Sequence, residues 1–377
     1  MKKNLGWILL FAAFAALILF FPQRALYASR QGFDLWIKAV FPALFPFFVI
    51  STLLKEYGAV DLLSRGVGRA MPVLFGCPPQ SAYALFTGIL CGYPAGARAV
   101  SELAQEGYLD EASVQRCLIF CNTSGPLFMV GTVGTTLLGN PELGWIIALG
   151  HYLSALICGF LTKFLIRGGK KERAPIVSMQ KAAPPFGSAL KKAVLGAMEA
   201  QLLVGGLIVL FNALWALLQE ISIAGTLAQG IHIVLPFIPE NLTSALGAGI
   251  MELTVGCNQV VGSAAPTVIK IALCSALVSW GGLCIQAQSM AMLGAVRIRM
   301  GTYWLFKLLH ALLAFALVLG FYQLFPGTAP TFAPASAQAS FAPGGLWLIT
   351  LGFFIVSLGI LIGLNQPDRR SVHRGRS

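Results

Sequence analysis

Two stretches of this chain repeat one another at a fixed offset. Gly88 and Gly247, Leu118 and Leu277, His151 and His310, Leu153 and Leu312, and Ala155 and Ala314 all stand 159 positions apart. A polar break, Asn122-Thr123-Ser124-Gly125-Pro126, falls on a second break running from Gly281-Gly282 to Gln286. Leucine and alanine coincidences carry little weight in so apolar a chain, whereas paired histidines, glycines and breaks carry more. A duplicated unit with helices interrupted at matching places is how many secondary transporters are built.

The chain is 57% hydrophobic and 11% charged, with a mean hydropathy of +0.78. Soluble domains carry about 25% charged residues, so the expected class is an all-α polytopic membrane protein. Leu5 to Phe21 follows Met1-Lys2-Lys3 as a signal peptide would. Its length of about 17 residues and the lack of a small-x-small cleavage site favour a helix. A net charge of +12 would suggest nucleic acid in a soluble protein. Here the basic residues sit in loops and tails, where orientation and anionic lipid account for them, and no nucleic-acid partner is expected. The eight cysteines lie mostly in apolar segments, with no CxxC and no histidine at ligand spacing. Neither a disulfide framework nor a metal or other cofactor is expected.

Eight spans are expected: 5–21, 33–54, 118–138, 143–165, 193–218, 266–295, 303–325 and 346–364. Residues 62–75 and 221–238 read as interfacial helices. Residues 81–97, broken by Gly88, Gly92, Pro94 and Gly96, and 242–261, rich in glycine, read as re-entrant hairpins. Irregular backbone at that depth is tolerated only where protein or water covers it.

Charge gives the orientation. The central loop holds Arg167, Lys170, Lys171, Arg173, Lys181, Lys191 and Lys192, and the tail holds Arg369, Arg370, Arg374 and Arg376. No Lys or Arg occurs from Cys117 to Thr162, from Gln219 to Gly262, or from Leu308 to Pro367. The central loop and both termini are therefore placed in the cytoplasm. Each unit then crosses an odd number of times, which inverts the second copy. Arg24 and Arg30, in the first outer loop on this reading, run against the rule. The expected organisation is an N-terminal helix and outer loop (1–32), a first unit (33–166), a basic cytoplasmic loop (167–192), a second, inverted unit (193–325), an uncharged outer loop (326–345), and a last span with a basic tail (346–377).

Three runs are distinctive: Val40-Phe41-Pro42-Ala43-Leu44-Phe45-Pro46-Phe47-Phe48, Cys91-Gly92-Tyr93-Pro94-Ala95-Gly96-Ala97, and Phe120-Cys121-Asn122-Thr123-Ser124-Gly125-Pro126-Leu127-Phe128. They resemble the YlbJ family of sporulation integral membrane proteins, which carries the nucleoside-recognition, or Gate, domain. The resemblance covers most of residues 30 to 300. It implies a fold similar to concentrative nucleoside transporters, with re-entrant hairpins and broken helices. It also implies a role in spore formation, moving dipicolinic acid toward the forespore across the outer forespore membrane, with other sporulation membrane proteins as possible neighbours. The residues themselves do not demand that substrate.

Candidate binding residues follow from the cost of polar groups in lipid. In the first hairpin they are Gly92, Tyr93, Pro94 and Gly96, whose freed backbone groups and half-helix N-termini suit an anion. The alternative there is close helix packing through Gly92-x-x-x-Gly96. Arg98 is a candidate countercharge. Asn122, Thr123, Ser124 and Gly125 precede Pro126, which has no N–H. They either line a pathway or form a self-satisfied kink. In the second unit Glu252, Asn258 and Gln259 in the hairpin, and Ser279, Gln286, Gln288 and Ser289 at the break, stand at equivalent places. Glu252 is either a coupling acid or a solvated interfacial one. Glu199 reads as an inner-interface residue in preference to a coupling one. Lys270 and Lys307 read as snorkelling. The repeated histidines read as helix-packing hydrogen bonders in preference to a proton relay.

No GxSxG, HExxH or Walker pattern occurs, and no enzyme is expected. Two function classes remain: a transporter of a small polar, anionic or nucleoside-like solute, and a non-transporting scaffold for spore assembly. The charge map gives a direct test of topology. A cysteine placed at Ala335 is expected to react with an impermeant thiol reagent in intact cells, and one at Ser178 only after the membrane is opened. The reverse pattern would contradict the assignment.

Overall fold

The computed structural model describes residues 5–166, 184–234 and 239–324. Most of the central basic loop, the loop 326–345, the expected span 346–364 and the tail arginines lie outside them. Among the described residues the structure is helical, with no strand. Five helical stretches among the described residues are long and apolar enough to cross a membrane: Pro22–Glu56, Pro141–Leu165, Phe186–Glu220, Thr267–Leu293 and Met300–Leu324. Leu5–Phe20, Ser81–Cys91 and Leu127–Leu137 are shorter apolar helices.

The first helix, α1 (Leu5–Phe20), has no buried residue, as an apolar rod facing lipid requires. The second stretch begins earlier than expected. α2 (Pro22–Leu35) runs through a π turn at Trp36–Val40 into α3 (Phe41–Glu56). Pro42 has no N–H to give, and the helix widens just before it, Phe41 N–H reaching back five residues to Trp36 O. Arg24 and Arg30 therefore lie on a helix and not in an outer loop. Arg24 pairs with Glu220 at 2.9 Å, at the end of α10. α2 buries Ala25, Ala28 and Gly32, and with α3 it packs along α10 (Phe186–Glu220). Lys191 and Lys192, expected in the loop, stand in the opening turns of α10.

From α3 to residue 165 the order is α4 (Ala59–Arg65), short α5 (Met71–Leu74), a hairpin of α6 (Ser81–Cys91) and α7 (Ala95–Gln105), then α8 (Glu111–Cys121), a break, a π-helix (Leu127–Leu137) and α9 (Pro141–Leu165). α8 starts where Asp110 accepts from Ser113 N–H at 2.8 Å, and α9 where Asn140 accepts from Glu142 N–H at 2.8 Å ahead of Pro141. From α10 onward the order recurs: α11 (Ile223–Val234), a hairpin of α12 (Glu240–Met251) and α13 (Leu253–Gly262), α14 (Thr267–Trp280), a break, α15 (Gly282–Leu293) and α16 (Met300–Leu324). The span expected at 118–138 is thus two helical pieces, and that at 266–295 likewise. The interfacial helix expected over 62–75 is three short pieces, a 3₁₀ turn joining α4 to α5.

Among the described residues, the two largest of several apolar cores hold the two hairpins to the long helices. One joins α6, α7 and α8 to α16 through residues such as Leu103, Phe120 and Phe306. The other joins the π-helix, α9 and the α12–α13 hairpin to α14 and α16 through Met129, Ile147, Ile271 and Val318. Close backbone approach matters as much as apolar burial. A Cβ on Gly88 or Gly96 would collide with the carbonyl oxygen of Cys121, so α6 and α7 both lie directly on the end of α8. A Cβ on Gly206 would meet nothing within 4 Å. Gly88→Ala and Gly96→Ala are each expected to cost about 1–3 kcal/mol or more, since backbone must move to admit the methyl group. Gly206→Ala is expected to be neutral or slightly stabilising. Thermal unfolding in detergent checks this, and equal stability of all three variants would contradict the packing.

Candidate functional site

The two hairpin turns and the two helix breaks come together. α6 ends at Gly92, whose φ of +78° lies in the region glycine favours. A Cβ on Gly92 would collide with the backbone nitrogen of Gly125, so the first hairpin turn rests on the first break. The Tyr93–Pro94 peptide is cis. Space beside Gly282 is closed by backbone atoms of Gly249, Met251 and Leu253, so the second turn rests on the second break. Tyr93 then crosses between units: its ring lies beside Gly281, and its hydroxyl is 3.3 Å from Val278 O.

The breaks are satisfied by side chains from their neighbours. Ser124 N–H donates to His151 Nε2 at 2.9 Å. That nitrogen therefore carries no proton. The neutral ring holds its proton on Nδ1 and donates it to Ser279 Oγ at 2.8 Å. His310 Nε2–H donates to His151 O at 2.9 Å. Asn122 Nδ2 donates to Ser289 Oγ at 2.8 Å and reaches the Tyr303 hydroxyl at 3.3 Å. The Tyr152 hydroxyl reaches Ile89 O and Ser124 O, both at 3.0 Å. Gln286 Nε2 donates to Trp280 O at 3.2 Å. Asn122 Oδ1, Thr123 Oγ1 and Gln286 Oε1, all at the breaks, are buried without a protein partner.

A cavity of about 170 Å³ opens here. Its apolar wall comes from the first long helix and α10, with Leu35, Val40, Leu44, Phe47, Val204 and Ile208. Its other side is made by the turns and breaks: Gly92, Tyr93, Ser124, Gly125, Glu252, Thr254 and Gln288. The π-helix also contributes Leu127, Phe128 and Thr132. π winding is rare and recurs at functional sites. The π-helix begins at this cavity, from Pro126, with no side-chain cap; α15 also starts uncapped, from Gly281, but reaches the cavity only from Cys284 onward. α13 differs, because Glu252 caps it, its Oε2 accepting from Val255 N–H at 2.7 Å.

The expected site residues divide accordingly. Gly92, Tyr93, Ser124, Gly125, Glu252 and Gln288 line the cavity. Asn122, Thr123 and Gln286 are buried in the network behind it. Gly96 and Pro94 belong to the hairpin and its contact with α8. Asn258 is exposed on α13. Arg98 is engaged elsewhere: Nε donates to Glu102 at 2.9 Å, Nη1 to Gly196 O at 3.0 Å, and its guanidinium lies over Phe48. Lys55 joins the same cluster, 2.8 Å from both Glu102 and Glu106. Burial acts to raise the Glu102 carboxyl, but Lys55 and Arg98 outweigh it and hold it below the usual carboxylate range. Glu199 is exposed on α10.

Lys307 departs most from expectation. It does not snorkel: it is fully buried, and Nζ donates to the Tyr93 hydroxyl at 2.6 Å. The sequence reading missed it as a site residue, along with Tyr303, whereas Ser289 is one of the polar residues it placed at the second break. The available signal for Lys307 was its place one turn before His310 on the repeated helix.

Fold and site together define a polytopic helical membrane protein whose interrupted helices converge on a central cavity. Residues 37–140 match the family model for the Gate domain, described as nucleoside recognition. The chain is 29% identical over 328 residues to the sporulation integral membrane protein YlbJ of Bacillus subtilis (strain 168), covering 82% of this chain and 80% of that protein. No solved structure matches the chain.

The bond between the breaks is testable. Asn122→Ala and Ser289→Ala are expected to show a coupling of about 1 kcal/mol in a double-mutant cycle read by thermal unfolding. Strictly additive losses would mean that the two helices are not joined at this point.

Proposed function

We propose that this chain is a secondary transporter that moves a small one-ring solute with carboxylate edges across the membrane of a sporulating cell, dipicolinate being the candidate. The observation that carries this reading is the cavity at the meeting of two hairpin turns and two helix breaks. Broken helices at membrane depth leave backbone groups that cost several kcal/mol each unless satisfied. Bringing the breaks together lets them share partners and a solute. A scaffold has no need of that arrangement.

Size and wall chemistry narrow the solute. A cavity of about 150 Å³ is of the order that takes one benzene-sized ring, and this one is about 170 Å³. Its apolar wall suits a ring face, and the start of the π-helix, which has no side-chain cap, suits an anionic edge. A second reading, a nucleoside, draws support from the Gate match and from Glu252 and Gln288, which offer hydrogen bonds to a neutral solute. A base with its sugar is larger than one ring, so the dicarboxylate is preferred.

The recurring element order and the charge map support an inverted repeat, residues 33–166 against 193–325, with the hairpins re-entrant. The termini and the basic loop then face the cytoplasm, and the outer forespore membrane is the proposed location. No catalytic role is assigned to any residue.

Purified protein in proteoliposomes is expected to pass dipicolinate, with uridine a poor competitor. Ser124→Ala and Glu252→Gln are expected to lower flux about tenfold while the protein accumulates normally. Flux inhibited by uridine but not by dipicolinate would favour the nucleoside. No flux of either solute from well-folded protein would favour the scaffold.

A further inference from the structure

The residues lining the cavity include a carboxylate, Glu252, and neither lysine nor arginine. An anionic solute in a low-dielectric site needs a counter-charge that these side chains do not provide. Lys307 stands immediately behind the wall. It is fully buried on α16. Its Nζ donates to the Tyr93 hydroxyl at 2.6 Å and lies 4.8 Å from the centroid of that ring. Tyr93 itself lines the cavity.

Among the described residues Lys307 takes part in no salt bridge. Titratable groups near it include His151 and Cys158 of α9 and His310 of its own helix. None of them is a carboxylate. A buried ammonium is costly when its compensation is one hydroxyl and an aromatic face. The partner of that hydroxyl is informative. The Tyr93 oxygen accepts from Lys307, so its own O–H is available to donate. It points to Val278 O at 3.3 Å in this structure, a long bond for an O–H donor. A carboxylate oxygen in the cavity would be a stronger acceptor for the same hydrogen.

We propose that Lys307 is the positioning charge that makes the cavity select an anionic solute, acting through the Tyr93 hydroxyl on a carboxylate edge. The inference rests on the transporter reading above and names the residue responsible for its charge selectivity. It also gives the buried ammonium its missing partner: solute and Lys307 stabilise one another when bound. Arg98, held by Glu102 and Gly196, has no such path to the cavity.

The test compares two probes of one shape, pyridine-2,6-dicarboxylate and its uncharged diamide, binding to purified full-length protein in detergent. The wild type is expected to prefer the dicarboxylate by about tenfold or more. Lys307→Met is expected to lose that preference while binding the diamide within about twofold of the wild type. Lys307→Arg, which restores the charge, is expected to recover much of the preference. Should Lys307→Met not accumulate, Tyr93→Phe carries the test, since it removes the hydroxyl and keeps the charge buried; its preference is expected to fall likewise. Undiminished preference in the variant that can be measured overturns the inference alone. Equal loss of both probes in a folded variant overturns it too, as a purely structural role. A wild type that prefers the diamide overturns it together with the anion reading.

Discussion

One imidazole holds the two interrupted helices to each other. His151 accepts from Ser124 N–H at the first break and donates to Ser279, two residues before Gly281 at the second. Its own carbonyl accepts from His310. A helix broken in lipid exposes N–H and C=O groups that no water relieves. Here a side chain from a third helix serves both breaks. This fixes the ring's tautomer, since a nitrogen that accepts from a backbone N–H cannot also hold a proton. In this arrangement His151 is a structural bridge, and a proton relay through it would first have to break the bond that supports Ser124.

Around that bridge the packing is backbone against backbone. Gly88 and Gly96 seat the first hairpin on the end of α8, and Gly92 brings its turn onto Gly125. The close-packing alternative and the site alternative for the Gly92-x-x-x-Gly96 motif thus describe different glycines. Gly96 packs against α8, while Gly92 packs and also lines the cavity. The ionic cluster of Lys55, Arg98, Glu102 and Glu106 ties the return arm of the same hairpin to α3 and, through Gly196 O, to α10. The cavity lies where these two groups of helices face one another, and a solute held there touches both.

Much of this was legible in the sequence. Apolar runs gave the helices, and glycine, proline and consecutive polar residues gave the turns and breaks, because each is costly in lipid unless the fold uses it. The paired histidines marked the helices that cross at the centre. Boundaries were less legible: α2 starts at Pro22 and takes in Arg24, whose partner Glu220, at the end of α10, is far away in sequence. Long basic side chains were least legible. Lysine in a span reaches an interface unless a partner holds it, and Lys307's partner is Tyr93, 214 positions earlier. Arg98 was misleading for the matching reason: its acid stands one turn along its own helix, and the two satisfy each other.

The two units do not contribute alike to the cavity, and that asymmetry has chemical content. The first supplies an uncapped helix start beyond Pro126 and a tyrosine at its turn. The second supplies Glu252 at its hairpin turn, where it caps α13 with the protein's own carboxylate, whereas α7, the matching arm of the first hairpin, starts from Pro94 with no side-chain cap. The α13 N-terminus is thus filled, and the π-helix N-terminus carries no such cap. A carboxylate arriving from outside would meet repulsion at Glu252 and an open N-terminus beyond Pro126. The ring of a one-ring solute would lie on the apolar wall between these ends. An acidic edge then has one favourable direction, away from Glu252 and toward Tyr93 and the ammonium behind it. Orientation in the cavity follows from the difference between the copies, and a perfectly symmetric repeat would give none.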